Sequence, residues 1–447
     1  MKVKKVREVA LEILESIEKN QAYSNLLLNK TIEKYNLPPK DVALLTEMVY
    51  GTIQQRDTLD YYLNPFIKKG KRLETWVNVL LRLSLYQMVY LDRIPDRAVI
   101  YEAVEIAKKR GHKGVAAMVN GVLRSVQREG VASFEQIRDP IKRIAIETSH
   151  PEWLVKRWVG QFGLEETRRL CESNLVSPKQ TARVNTARIT VEEAMERLKE
   201  EGIEVMTGDL APEAIKAVKG NLAHSKLFKD GLLTIQDESS MLVARALGVR
   251  ENEHVLDSCA APGGKSTHIA ELMHNTGQVI SLDIHNHKIK LIEEQASRLQ
   301  LTNIQTKVLD SRKAAESFPG ETFDKILVDA PCSGFGVLRR KPDIKYVKKE
   351  NDISNLTNVQ KAILESVAPL LKRGGTLVYS TCTIDKEEND DILNEFLQKH
   401  PEFEMDESLK ERLPIKVQKH VKEGKLLLLP HYFGTDGFFI AALRKKV

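Results

Sequence analysis

The sequence predicts a chain of the α/β class, with an all-helical N-terminal segment and a small α+β segment ahead of a Rossmann-like sheet. Three observations carry that expectation. Residues 1–145 repeat amphipathic helical stripes with no alternating strand pattern between them. From Gln236 onward, short apolar runs alternate with helical ones, the texture of a doubly wound sheet. A length of 447 residues exceeds the roughly 100–200 residues of one ordinary domain. The expected division is 1–145 all-helical, 146–235 a small α+β linker domain, and 236–447 the Rossmann-like domain.

In order, Val3, Val6, Ala10, Ile13, Leu14 and Ile17 form one helical stripe with Lys and Glu between them. Similar stripes recur at 41–56, 73–91, 96–110 and 113–128, separated by breakers such as Leu37-Pro38-Pro39, Gly70 and Ile94-Pro95. Asp41 and Asp96 stand where helix N-caps are expected. Residues 153–175 read as helix, Thr181-Ala-Arg-Val-Asn-Thr as a strand, Val191–Glu201 as helix, and Gly202-Ile-Glu-Val as a turn into a strand. The sheet strands follow at Val255-Leu256, Val279–Leu282, Gln305–Leu309, Lys325–Val328 and Thr376–Ser380. Leu426–Leu429 and Phe438–Leu443, with Asp436-Gly437 between them, suit an antiparallel pair on the sheet edge.

Composition removes several classes. An apolar content of 42% and a charged content of 29% exclude a wholly disordered or collagenous chain. No run approaches the roughly 18 apolar residues of a membrane span. The start, Met1-Lys-Val-Lys-Lys-Val-Arg, has no apolar signal core, so a cytoplasmic protein without a membrane partner is expected. Cys171, Cys259, Cys332 and Cys382 are too few for a disulfide framework and lack C-x-x-C spacing, so no metal is expected. Net charge is +6, and residues 1–150 hold 25 basic against 18 acidic side chains while the rest is nearly balanced. That excess points to a polyanionic partner contacted through the N-terminal third.

In an open α/β sheet, ligands bind beyond the carboxyl ends of the strands. The first strand ends at Asp257, and Ser258-Cys-Ala-Ala-Pro-Gly-Gly-Lys265 leads into a helix. Gly263 and Gly264 allow a tight turn and a close backbone approach to a ligand. Asp283, ending the second strand, can accept both hydroxyls of a ribose. Gly264-Lys265-Ser266 matches the end of a triphosphate loop, but Cys259 occupies the position of that motif's first glycine. A nucleoside cofactor without a polyphosphate fits better. Two later strands end in Asp329-Ala-Pro-Cys332 and Ser380-Thr-Cys382-Thr, which brings both thiols to the same rim. A redox pair is the alternative use of two such thiols, but their flanks match no oxidoreductase motif. Amino-group methylation would require an Asn/Asp-Pro-Pro-aromatic run, and cysteine follows Pro331 instead.

Asp257–Lys265, Asp329-Ala-Pro-Cys332 and Ser380-Thr-Cys382-Thr, in that order, resemble the motifs of the NOL1/NOP2/Sun family of S-adenosylmethionine-dependent RNA cytosine-5 methyltransferases. Tyr50-Gly51, Arg56-Asp57, Arg82-Leu-Ser-Leu-Tyr86 and Asn120-Gly-Val-Leu-Arg124 resemble the RNA-binding antitermination factor NusB. Together the two resemblances span essentially the whole chain. They imply a methyltransferase-type Rossmann-like sheet behind a NusB-like helical domain, S-adenosylmethionine as cofactor, and 16S ribosomal RNA as partner. The reaction implied is methyl transfer to C5 of a cytosine, of the cytosine-967 type; a monomer is expected, since each domain can bury its own core. They further imply Cys382 as nucleophile, Cys332 assisting proton removal and release, Asp329 on the cytosine edge, and Lys265 beside the thiolate. The implied cofactor contacts are Cys259, Ala260, Ala261, Pro262, Gly263, Gly264, Lys265, Asp283, Asp310 and Asp329. The basic run Arg339-Arg340-Lys341, Lys345, Lys348 and Lys349 suits phosphates flanking a target base. Transfer RNA as substrate, and a non-catalytic RNA-binding or antitermination factor, stay open at this point.

Overall fold

The computed structural model describes residues 5–20, 24–35, 37–68, 70 and 72–447; Val3 of the first stripe lies outside them. The chain divides into two compact units, one of residues 1–175 and 340–348, the other of 176–339 and 349–447.

The first unit is helical: α1 (Val6–Asn20), α2 (Ser24–Tyr35), α3 (Pro39–Gln54), α4 (Arg56–Leu63), α5 (Thr75–Tyr90), α6 (Asp96–Arg110), α7 (Lys113–Glu129), α8 (Pro140–Glu147), α9 (Glu152–Phe162) and α10 (Leu164–Asn174). Helix α5 is apolar on nearly every side and buries residues from Trp76 to Gln87, as a central helix must. Leu11, Leu45, Ile100 and Leu123 from the helices around it complete one core. The caps differ from expectation. Pro38 and Pro95 occupy the N-cap positions of α3 and α6, so Asp41 and Asp96 lie inside the first turns. There they complement the helix dipole instead of capping. The 153–175 helix is two, broken at Gly163, whose φ of 82° ends α9. The unit runs past residue 145 to Leu175 because α4 is tied to the α8–α9 connection. Thr58 donates to the Ile146 carbonyl at 2.6 Å, and Ser149 Oγ accepts from the Asp57 N–H at 2.8 Å.

The second unit opens with β1 (Thr181–Val184), α11 (Val191–Glu200), β2 (Glu204–Thr207), β3 (Ala214–Lys219), α12 (Lys226–Lys229) and β4 (Leu233–Ile235). These strands form an antiparallel sheet in the order β2-β3-β1-β4. Strands β3 and β4 escaped sequence reading, being short and bordered by polar residues.

The larger sheet begins after α13 (Glu238–Leu247), with β5 (His254–Asp257), α14 (Gly264–Leu272), β6 (Gln278–Asp283), α15 (Asn286–Arg298), β7 (Ile304–Val308) and β8 (Phe323–Asp329). A short helix α16 (Ile344–Val347) belongs to the first unit; α17 (Glu350–Val367), β9 (Leu371–Thr381), α18 (Asp390–Lys399), β10 (Phe403–Met405), β11 (Val421–Lys422), β12 (Lys425–Leu428) and β13 (Phe438–Lys445) complete the second. Strand order is β11-β12-β13-β9-β8-β5-β6-β7, with β10 also pairing β13. Neighbours from β7 to β9 are parallel, and β13 runs antiparallel to β9. The C-terminal antiparallel pair exists, but β13 lies inside the sheet between β9 and β12, with β11 beyond. Its apolar residues explain this, since every residue from Phe438 to Leu443 is buried. The fold is therefore a Rossmann-like α/β sheet with a helical N-terminal domain. The parallel strands β5, β6, β8 and β9 send their carboxyl ends to one rim, the place where such sheets bind ligands.

Candidate active site

The glycine loop is built by close packing. Gly263, with φ 103°, stands at the N-cap of α14, and a Cβ there would come within 3.2 Å of the Ile292 backbone. Only glycine fits both demands. From β1, the fully buried Arg183 reaches the same turn. Its guanidinium donates to the Gly264 carbonyl at 3.0 Å and pairs with both oxygens of Glu271 at 2.8 and 2.9 Å. Asp257, fully buried at the end of β5, accepts from Ser266 Oγ at 2.6 Å. Burial pushes its carboxyl up to about 7 despite that bond.

The next strand ends bring three more carboxylates. Asp283 accepts from the His285 N–H at 3.0 Å, and the Lys288 ammonium stands 3.8 Å from it. Asp310 accepts from the Arg312 guanidinium at 2.6 to 3.0 Å, which holds its carboxyl below the usual range. Asp329 accepts from Ser380 Oγ at 2.8 Å and from the Lys265 ammonium at 2.8 Å. Burial acts to deprotonate Lys265, but Asp329 and the Cys382 sulfur outweigh it and hold the ammonium charged. The same ammonium lies 5.3 Å from the centre of the Phe438 ring.

Cys332 and Cys382 meet with their sulfurs 3.4 Å apart. The contact with Cys382, followed by burial, pushes the Cys332 thiol well up. Burial pushes the Cys259 thiol up as well. Cys171, buried and belonging to the helical unit, is raised to about 12 by burial and takes no part here.

One cavity of about 400 Å³ joins these groups. Cys259, Ala261, Asp283, Asp310, Asp329, Cys332 and Cys382 all line it. Ala260, Pro262, Gly263, Gly264 and Lys265 are not among its lining residues. Sequence reading missed the apolar side, formed by Leu309, Pro331, Val359 and Ile363, and the polar groups Lys288 and Arg312. Val359 and Ile363 come from α17, whose apolar face is indistinguishable in sequence from any core helix. It also missed a buried network around Glu388, although an acidic pair so soon after the Cys382 strand was a visible signal.

The expected phosphate-binding run is partly spent on structure. Lys345 is fully buried in the helical unit, where its ammonium donates to the Gln54 carbonyl at 2.9 Å. The Arg339 guanidinium donates to the carbonyls of Val176 at 3.0 Å and Gly434 at 2.7 Å. Neither is offered to a phosphate.

Family comparison covers the same ground. Residues 244–444 match the model of the 16S rRNA methyltransferase RsmB/F family, 4–128 the NusB family, and 150–221 the ferredoxin-like domain of RsmF/B-like methyltransferases. The chain is 59% identical over 446 residues, the full length of both proteins, to the probable ribosomal RNA small subunit methyltransferase B of Bacillus subtilis. It is 34% identical to ribosomal RNA small subunit methyltransferase B of Proteus mirabilis, across 92% of each. Among solved structures, PH0851 superposes with a TM-score of 0.81 at 27% identity over 99% of both chains. NSun6 from Pyrococcus horikoshii, solved with the S-adenosylmethionine analogue SFG, gives 0.59 at 25% identity, covering 66% of this chain and 98% of its own. With end-to-end identity this high, the chain belongs to the RsmB (Sun) family of ribosomal RNA small subunit methyltransferases, with a NusB-family domain at its N-terminus.

Proposed function

We propose that the chain transfers a methyl group from S-adenosylmethionine to C5 of a cytosine in 16S ribosomal RNA, through a covalent bond between Cys382 and C6. The observation that carries this reading is the pair of sulfurs 3.4 Å apart, set beside the Lys265–Asp329 ion pair at 2.8 Å, with both thiols and Asp329 on one cavity wall.

The residues present fit the cofactor. A cavity of about 400 Å³ falls within the usual range for such ligands, and it combines the apolar wall with acidic groups at successive strand ends. Asp283 would accept from the ribose hydroxyls. Asp310 keeps lone pairs for an adenine amino group even while Arg312 engages both its oxygens. Cys259 and Ala261 would border the bound molecule. When bound, S-adenosylmethionine supplies an electrophilic methyl group on a sulfonium.

Cytosine C5 is a weak nucleophile, and addition of a thiolate at C6 makes it enamine-like. The family resemblance gives Cys382 that role, and the charged Lys265 ammonium interacts electrostatically with its sulfur and would favour a thiolate there. Asp329 holds the N3/N4 edge of the base, where charge develops on addition. Cys332 assists the release: once its own proton has passed to water it accepts the C5 proton, the C5–H electron pair re-forms the C5–C6 double bond, and the C6–sulfur bond breaks to return Cys382 as a thiolate. The target base must leave its stack to enter the cavity. The helical unit carries the RNA contact, since residues 1–150 hold the excess of basic side chains. The protein acts as a cytoplasmic monomer in this reading.

Nucleoside analysis after reaction with unmodified 16S ribosomal RNA or with transfer RNA tests the proposal. It expects 5-methylcytosine in the ribosomal RNA alone. The modified base in transfer RNA alone, or no methyl in either, would overturn it.

A further inference from the structure

We propose that the dipeptide Glu388-Asn389 is a positioning clamp that sets the separation of the two cysteines, each residue holding the chain on both sides of one of them. The inference rests on the division of labour between Cys382 and Cys332 given above.

Glu388 serves Cys332. Its carboxyl is fully buried and accepts from the N–H of Ser333 at 2.8 Å and from the Ser333 hydroxyl, so it grips the residue after Cys332. It also accepts from Gln360 Nε2 at 3.1 Å, and that same amide nitrogen donates to the Pro331 carbonyl at 2.9 Å, on the residue before Cys332. Asn389, also buried, serves Cys382 in the same way. Its Oδ1 accepts from Thr381 Oγ1 at 2.6 Å and its Nδ2 donates to the Thr383 carbonyl at 3.1 Å. The two halves are joined by Ser333 Oγ and Thr383 Oγ1 at 2.8 Å, and the Tyr379 hydroxyl anchors the Glu388 carbonyl at 2.7 Å.

A buried carboxyl is costly to retain, and a hydrophobic residue would serve packing alone. What this one adds is register. Neither residue reaches the cavity wall, so the clamp acts through the cysteines and not on the substrate. A displacement of about 1 Å at reacting atoms can cost about 100-fold in rate.

The test uses the full chain with 16S ribosomal RNA and S-adenosylmethionine, comparing wild type, Cys332→Ala, Glu388→Ala, Glu388→Gln and Asn389→Ala. Three quantities are read: turnover, the KM for the cofactor, and protein–RNA adduct surviving denaturing electrophoresis. Glu388→Ala is expected to lower kcat by about tenfold to 100-fold, leave the cofactor KM within about twofold, and accumulate adduct as Cys332→Ala does. Glu388→Gln, which keeps one acceptor for the Ser333 N–H, recovers part of the rate and stands in should the alanine variant fail to fold. Asn389→Ala is expected to lose a similar factor with no adduct, because the step it serves comes first. Adduct with Cys332→Ala but none with either Glu388 variant overturns the clamp alone. So does turnover that falls only in step with cofactor binding or folded protein. No adduct with Cys332→Ala overturns the proposed function and the clamp with it.

Discussion

Asp257 is a residue whose state departs far from its type. Sequence places it at the end of the first strand of the large sheet, and the structure agrees; burial there raises its carboxyl to about 7. In the unfolded chain it ionises near the ordinary carboxylate value, so between about pH 4 and 7 the folded state holds a proton the unfolded one has lost. Its contribution to stability is therefore complete below the ordinary value and is lost as pH rises through about 7. Asp257→Asn keeps the shape without the charge. Urea midpoints at pH 5 and pH 8 should differ less for this variant than for wild type, with the variant gaining most at pH 8. An unchanged difference would mean that Asp257 is ionised throughout. The thiols and carboxylates of the site were legible because each closes a strand in a short motif. Their protonation was not, because it depends on what packs over them.

At the scale of elements, strands of the large sheet were legible through their short apolar runs, and the site inherits its order from them. The contacts that hold loops in place were not, since they join residues far apart in sequence. Arg183 is such a residue: a strand position in a small sheet that ties the start of α14 through Gly264 and its last turn through Glu271. Removing one partner of a buried ion pair costs about 3–5 kcal/mol. Arg183→Ala should accordingly lower Tm by about 10 °C and weaken cofactor binding with it, as read by thermal unfolding and calorimetry. Gly336 is a second case. Its N–H donates to the Cys382 carbonyl at 2.9 Å, and a Cβ there would meet the Gly437 carbonyl oxygen at 1.9 Å. Gly336→Ala must push the Cys382 loop aside, and methyl transfer should fall by about 100-fold with less than 3 kcal/mol lost in stability. Activity within about twofold of wild type would show that the loop tolerates the shift.

Across the whole molecule, the chain leaves the unit holding Cys332 to place residues 340–348 within the helical unit before returning at Lys349. Sequence showed this stretch only as a run of positive charge, and charge patterning cannot separate a solvated loop from a buried one. In the structure, Asp343 accepts from the Ser24 hydroxyl, the Arg56 guanidinium stacks 3.5 Å from the Tyr346 ring centre, and the Tyr346 hydroxyl donates to the Ser149 carbonyl at 2.8 Å. Burial lowers the Lys345 ammonium to about 7. Above that value the folded state has shed a proton that the unfolded chain retains to about pH 10, so stability rises with pH across this window. Lys345→Met should remove that rise and be the more stable protein near pH 7, measured by chemical denaturation from pH 7 to 10. A rise that persists in the variant would assign it to another group.

In the proposed mechanism Cys382 forms the bond to RNA and Cys332 releases it. Wild type, Cys382→Ala and Cys332→Ala, incubated with unmodified 16S ribosomal RNA and S-adenosylmethionine and run under denaturing conditions, test it most directly. A slow-migrating protein–RNA adduct should appear with Cys332→Ala and be absent with Cys382→Ala. Adduct with Cys382→Ala instead would exchange the two roles, and none in any lane, with no methyl incorporated, would contradict the covalent mechanism altogether.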